Sequence, residues 1–215
     1  MALFDELVAA AAAAGGRDMP ALRTDLDTLD AMLRDWSRVK NLVSRETLDE
    51  VRDRHIGDSL QIAGLIPSGA RTLLDLGSGG GFPALPLAIV FKDRGPMVHM
   101  VEANGRKTSF LKAVSRALGL RTRVHTARVE MLDPSAVGPV DVMTARAFAP
   151  LDRLLAYAHP FWRAETLGLF HKGGEHVEEM SAASLNWRYD VLEEPSRISP
   201  ESVILKLTAL QPASG

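Results

Sequence analysis

The chain has no cysteine. Disulfides and thiolate metal sites are excluded, and a reducing setting such as the cytoplasm is expected. No uninterrupted apolar run is long enough to span a bilayer, so no membrane partner is expected. Net charge is also scarce: the formal value is −2 across 215 residues. Overall charge therefore announces no nucleic-acid ligand, and any such site must be a local patch. His159, His171 and His176 lack the spacing of a supported metal site, so no metal is expected. There is no internal repeat and no disordered linker.

What is present fits one sizeable domain, or one domain with an appendage. The opening MALFDELVAAAAAAGG carries Asp5 and Glu6 where a secretory signal needs positive charge; it reads as a helix of the mature protein. Residues 1–66 read as a helical extension packed on a core formed by 67–215. Leu22, Leu26, Leu29, Leu33 and Trp36 repeat at spacings of four and three, one face of an amphipathic helix. Thr47 and Glu50 form a capping box, and Pro67 ends the helical region.

From residue 71 short apolar runs alternate with helical patterns. Strands are predicted at 72–76, 97–102, 123–126, 140–145, 166–171, 188–192 and 202–208. Helices are predicted at 83–91, 104–118 and 150–161, with a turn near 133–137. This alternation implies an α/β fold: a doubly wound, mainly parallel sheet closed by an antiparallel hairpin.

Ligands of such a sheet lie at the carboxyl ends of its strands. There the sequence TLLDLGSGGGFP runs from the first strand into Gly77-Ser78-Gly79-Gly80-Gly81-Phe82. A dinucleotide fingerprint needs glycine at its first, third and sixth positions, and the sixth here is Phe82. Asp75 at the mouth of the loop opposes a pyrophosphate but suits an ammonium group. Glu102 ends the second strand, where an acid accepts ribose hydroxyls. S-adenosylmethionine, with an amine, a sulfonium and no phosphate, matches this set better than NAD. A plain glycine turn without a ligand is the alternative reading.

Residues 104–128 hold Arg106, Lys107, Lys112, Arg116, Arg121, Arg123 and Arg128 with no acid among them. That local positive field suits a phosphate backbone, although each lysine alone would fit a solvated helix face.

Several motifs then occur in series: W-x4-NL from Trp36 to Leu42, RHIGDS from Arg54 to Ser59, LDLGSGGGFP, ARVE at 127–130, ARAFAPL at 145–151 and HKGG at 171–174. Together they resemble the bacterial glucose-inhibited division protein B family of 16S ribosomal RNA guanine-N7 methyltransferases. The resemblance spans roughly residues 22–208. It implies a class I, Rossmann-like methyltransferase fold with an N-terminal helical cap, and S-adenosylmethionine as cofactor. The implied target is N7 of guanine 527, in ribosomal RNA numbering, on small-subunit RNA or the ribosomal particle. A monomer is expected. By the resemblance Gly77, Phe82, Val129, Glu130 and Arg146 hold the cofactor, together with Asp75, Ser78, Gly79 and Glu102 from the loop reading. Asn41, His55 and Asp58 fall at the mouth of the active site as candidate catalytic positions. Arg128 and Lys172 join Arg106, Lys107, Arg121 and Arg123 as RNA-binding candidates. The chain departs from the family at Glu201-Ser202-Val203, where a Glu-Arg-His-like stretch is common. Two rivals stand beside this reading: a nicotinamide-dependent oxidoreductase, opposed by the missing third glycine, and a non-catalytic RNA-binding or assembly protein.

Overall fold

A computed structural model describes residues 2–40 and 51–213. The apolar runs after residue 71 become strands of one sheet: β1 (Thr72–Leu76), β2 (Met97–Glu102), β3 (Thr122–Thr126), β4 (Val142–Arg146), β5 (Leu167–Lys172), β6 (Trp187–Pro195) and β7 (Val203–Pro212). Their order is β3-β2-β1-β4-β5-β7-β6. The first five run parallel, and β7 lies antiparallel to both β5 and β6. Central strands such as β1 and β5 are buried along nearly their whole length, as a sheet covered on both faces requires.

The N-terminal region supplies α1 (Leu3–Gly15) and α2 (Met19–Lys40). The leucine stripe of α2 is fully covered, with Leu22, Leu26, Leu29 and Leu33 at 1% exposure or less. It packs on α4 (Ala84–Val90) and α5 (Gly105–Ala117). These helices share one apolar core with a face of the sheet. A second core on the other face is covered by α6 (Leu151–Ala158), α7 (His176–Ala183) and the hairpin. Between α2 and the sheet, Val51–Ile56 forms a wide π-helical turn that runs into the short helix α3 (Gly57–Leu60). The capping box predicted at Thr47 and Glu50 lies outside the described residues.

Local chemistry fixes several boundaries. Asn104 caps α5, its Oδ1 accepting from the backbone N–H of Arg106 at 2.9 Å and of Lys107 at 3.2 Å. β4 starts at Val142 rather than 140, and the side chain of Asp141 just before it ties down the start of β1: its Oδ2 accepts from Arg71 N at 2.7 Å and Thr72 N at 3.0 Å. The predicted helix 150–161 ends at Ala158, and Pro160 falls in a separate 3-10 turn, His159–Phe161. Both hairpin strands outrun their predicted ends. Helix α7 was not expected, since HVEEMSAA buries only Ala183 and shows no apolar stripe.

The topology positions the site. The chain steps outward from β1 to β3, then returns to pair β4 on the other side of β1. That reversal sets the loops after β1 and β4 side by side at the carboxyl edge, where a crevice opens.

Candidate active site

Two adjoining cavities open at that edge. The first, of about 540 Å³, is lined by the glycine loop Gly77–Gly80, Phe82, Glu102, residues 127–130 and residues 146–150. The second, of about 570 Å³, lies beyond residues 145–150 and reaches Asp58, His171, Lys172 and Ser202. Residues 146–150 and His55 line both.

In the first cavity the glycine loop turns where L side chains cannot follow easily. Gly77 has φ +68° and Gly79 has φ +53°. A Cβ on Gly77 would meet Phe148 Cδ2 at 2.1 Å, so the phenyl ring lies directly on the loop. Glu102 braces it from the end of β2. Its Oε2 accepts from Gly79 N at 2.9 Å and its Oε1 from Asn104 N at 2.7 Å. Each carboxylate oxygen keeps a further lone pair for hydroxyl donors at the cavity edge. Val129 is buried and Glu130 exposed, and both line the wall.

Asp75 departs from the sequence expectation. It is fully buried below the loop and is absent from the lining of either cavity. Its Oδ1 accepts from Thr144 Oγ1 at 2.7 Å, whereas Oδ2 is buried without a hydrogen-bond partner among the described residues. Burial pushes its pKa up to about 6, against the hydrogen bond from Thr144 and the charge of Arg146, which favour the charged form. Strand alternation explains the placement: a residue one step inside the strand end points into a sheet face, not out of the edge.

Arg146 joins the two cavities. It donates from Nη1 to Asp58 Oδ2 at 3.0 Å and from Nη2 to His55 Nδ1. Its guanidinium carbon is 5.4 Å from the centre of the Phe82 ring, and the His55 ring lies at the same distance from Phe82. A guanidinium only donates, so His55 Nδ1 presents a lone pair and carries no proton. Burial pulls Arg146 below the usual arginine range, and Asp58 opposes that shift. Asp58 also accepts from Gln61 Nε2 at 2.6 Å through Oδ1. His171 Nε2 lies 3.0 Å from the Asp58 carbonyl and must donate to it. Its Nδ1 is buried without a partner among the described residues, and burial holds its pKa below the ordinary histidine value. The widened turn at Val51–Ile56 precedes this cluster, a common setting for such irregular turns.

Lys172 sits on the wall of the second cavity. It was expected to face RNA, but it is only 8% exposed. Its Nζ donates to the Ala149 carbonyl at 2.7 Å and pairs with Glu179. A charge satisfied inside the protein has little left for a phosphate. Lys107 and Arg128 reach the first cavity. Arg106, Arg121 and Arg123 are exposed outside both, with Arg121 Nη1 donating to the Gly95 carbonyl at 2.9 Å. Asn41 lies outside the described residues. The sequence reading missed Phe148, Thr144 and Glu179; only Phe148 had a signal, as the aromatic in ARAFAPL. Among the described residues no group of three His, Asp or Glu side chains is placed to hold a metal ion. Nor is any helix among them long and apolar enough to cross a membrane.

The sheet order, the antiparallel seventh strand and the glycine-lined crevice at the β1/β4 reversal define a class I methyltransferase fold. The ribosomal protein L11 methylase of Lactobacillus delbrueckii subsp. bulgaricus shares it, with a TM-score of 0.57 at 13% identity over 71% of this chain and 76% of that one. Within that class, the family GidB, described as rRNA small subunit methyltransferase G, matches residues 23–199, and the chain belongs to it. The ribosomal RNA small subunit methyltransferase G of Parvibaculum lavamentivorans is 43% identical over 197 residues, 90% of this chain and 87% of that protein. Its counterpart in Methylobacterium radiotolerans is 45% identical over 199 residues, 93% of this chain and 92% of that protein.

Proposed function

We propose that the chain methylates N7 of one guanine in 16S ribosomal RNA of the small subunit, using S-adenosylmethionine, and that it acts as a cytoplasmic monomer. The observation that carries the reading is the pair of cavities meeting at one wall, residues 146–150, with family membership giving the substrate class. The first cavity suits the donor. Glu102 offers lone pairs for ribose hydroxyls, Val101 and Val129 give apolar contact for a purine, and Glu130 can accept from an exocyclic amine. The positive-φ glycine loop lets backbone approach closely. The orphaned Asp75 Oδ2 leaves negative charge under the loop, which favours a cationic ligand above it. When bound, S-adenosylmethionine supplies a methyl group on a positively charged sulfur.

The second cavity is assigned to the guanine. N7 of guanine already carries a free lone pair, so no proton has to be removed before it attacks. The geometry agrees with that need. Asp58 is tied to Arg146 and Gln61, and His55 Nδ1 is taken by Arg146. These residues build a fixed wall and do not offer a strong base. Their contribution is alignment, which can lower a barrier by roughly 7–11 kcal/mol at best. Asp58 and the Phe82 ring add negative and π-rich surroundings for a base that becomes cationic. The exposed Arg106, Arg121, Arg123 and Arg128 supply phosphate contacts along the β3 edge. The test is mass mapping of small-subunit RNA incubated with the protein and isotopically labelled donor. One 7-methylguanosine is expected; label on another base, or on none, would refute the proposal.

A further inference from the structure

The wall between the cavities is held in an unfavourable shape. Ala147 has φ +48°, in the left-handed region, which costs an L residue about 1–2 kcal/mol. Such a conformation persists only where neighbours over-determine it. Here a buried lysine and a half-buried glutamate do so. Lys172 Nζ holds the Ala149 carbonyl at 2.7 Å, and Glu179 Oε2 accepts from Leu151 N at 2.7 Å. Lys172 and Glu179 also pair with each other. The chain is thus gripped on both sides of Pro150, which has no N–H of its own. Two residues upstream, Phe148 is set against Gly77 in the first cavity and also lines the second.

We infer that Lys172 and Glu179 are positioning residues: they clamp residues 147–151 so that Phe148 closes the first cavity, and so set donor affinity from outside that cavity. The inference rests on the proposed function for the identity of the donor, but the clamp itself can be read independently. Lys172 comes from the end of β5 and Glu179 from α7, so the otherwise unremarked α7 acquires a task in the site.

The test uses the whole protein with Lys172→Met, Glu179→Gln, the double variant and Glu178→Gln as a control on the same helix. Calorimetry with S-adenosylhomocysteine should show affinity reduced about fivefold or more in each clamp variant. The double variant should be no weaker than the weaker single, because one unit is broken once. The control should match the wild type. Hydrogen exchange over residues 147–155 should speed up in the clamp variants, with or without ligand. The salt dependence of RNA affinity should stay unchanged in Lys172→Met, since its ammonium meets no phosphate. Lower melting temperature with unchanged ligand affinity and unchanged exchange in this segment would make the pair merely structural and overturn the inference. A reduced salt slope in Lys172→Met with unchanged donor affinity would overturn it too, and return Lys172 to RNA binding. If Lys172→Met does not fold, Glu179→Gln, which keeps an acceptor oxygen, decides by the same readouts. A wild type that binds no S-adenosylhomocysteine refutes the proposed function, while the exchange data still judge the clamp.

Discussion

The first cavity, the one proposed for the donor, takes its floor from residues 77–80 and Phe82, its lip from Glu102 and its side from residues 127–130. Much of it comes in short runs of chain. The second cavity draws its lining from Arg54, His55 and Asp58, residues 145–150 and 171–173, Glu179, Ile198, Ser199 and residues 202–204, segments brought together only by the sheet. The first resembles a preformed cradle whose shape follows from glycine dihedrals. The second is held by a network of paired charges. Damage to the first should be local, and damage to the network should spread through every group it ties.

The largest effect is expected at the shared wall. Arg146→Ala removes the partner of Asp58, whose side chain is 16% exposed, and the donor to His55 Nδ1. Stranding one member of a buried pair costs about 3–5 kcal/mol, and partial exposure reduces this to about 2–3 kcal/mol. Methyl transfer should fall by about a hundredfold in kcat/KM, with donor and RNA affinity both reduced. Loss confined to one ligand would break the idea that the cavities share this residue.

Gly77→Ala should act mainly on the donor side. The new methyl group collides with Phe148 and is strained by φ +68°. A cost of about 1–2 kcal/mol for the left-handed residue corresponds to about tenfold weaker donor binding. RNA affinity measured without donor should fall by less, since Phe148 also lines the second cavity, and equal losses for both ligands would contradict the distinction.

The smallest predicted effect on activity, and a sharper view of the cradle's floor, comes from Asp75→Asn. The native carboxyl has a pKa near 6, raised from 3.8 by burial. Raised affinity for a proton means that ionising Asp75 destabilises the folded state. The penalty is absent below pH 3.8, grows between pH 3.8 and about 6, and is complete above. Asn keeps an acceptor for Thr144 without the charge. The variant should therefore gain stability over the wild type as pH rises through that window, by at most about 3 kcal/mol. Denaturant unfolding at pH 4 and pH 7.5 measures it; a difference between the proteins that does not change with pH would contradict the account.

This contrast also marks what was legible in the sequence. The leucine stripe of α2, the parallel strands and the glycine loop are local patterns, and local patterns survive in a linear reading. For the same reason Glu102 was legible as the acid that ends β2 at the first cavity. The roles of Lys172 and Glu179 could not be found that way. Lys172 stood in a motif and looked like a phosphate ligand, because sequence shows a charge but not the Ala149 carbonyl that satisfies it. Helix α7 was invisible because it buries too little apolar surface to leave a period. Asp75 was placed at the loop mouth by its number in the chain, whereas the pleat turns it inward.

The central claim is that the crevice between the glycine loop, Glu102 and residues 146–150 holds S-adenosylmethionine. The most direct measurement is a calorimetric titration of wild type and Glu102→Ala with S-adenosylmethionine, run beside NAD. The account predicts one donor per chain, affinity about tenfold or more weaker without the carboxylate, and no comparable binding of NAD. Tighter binding of NAD, or donor binding indifferent to the loss of Glu102, would contradict it.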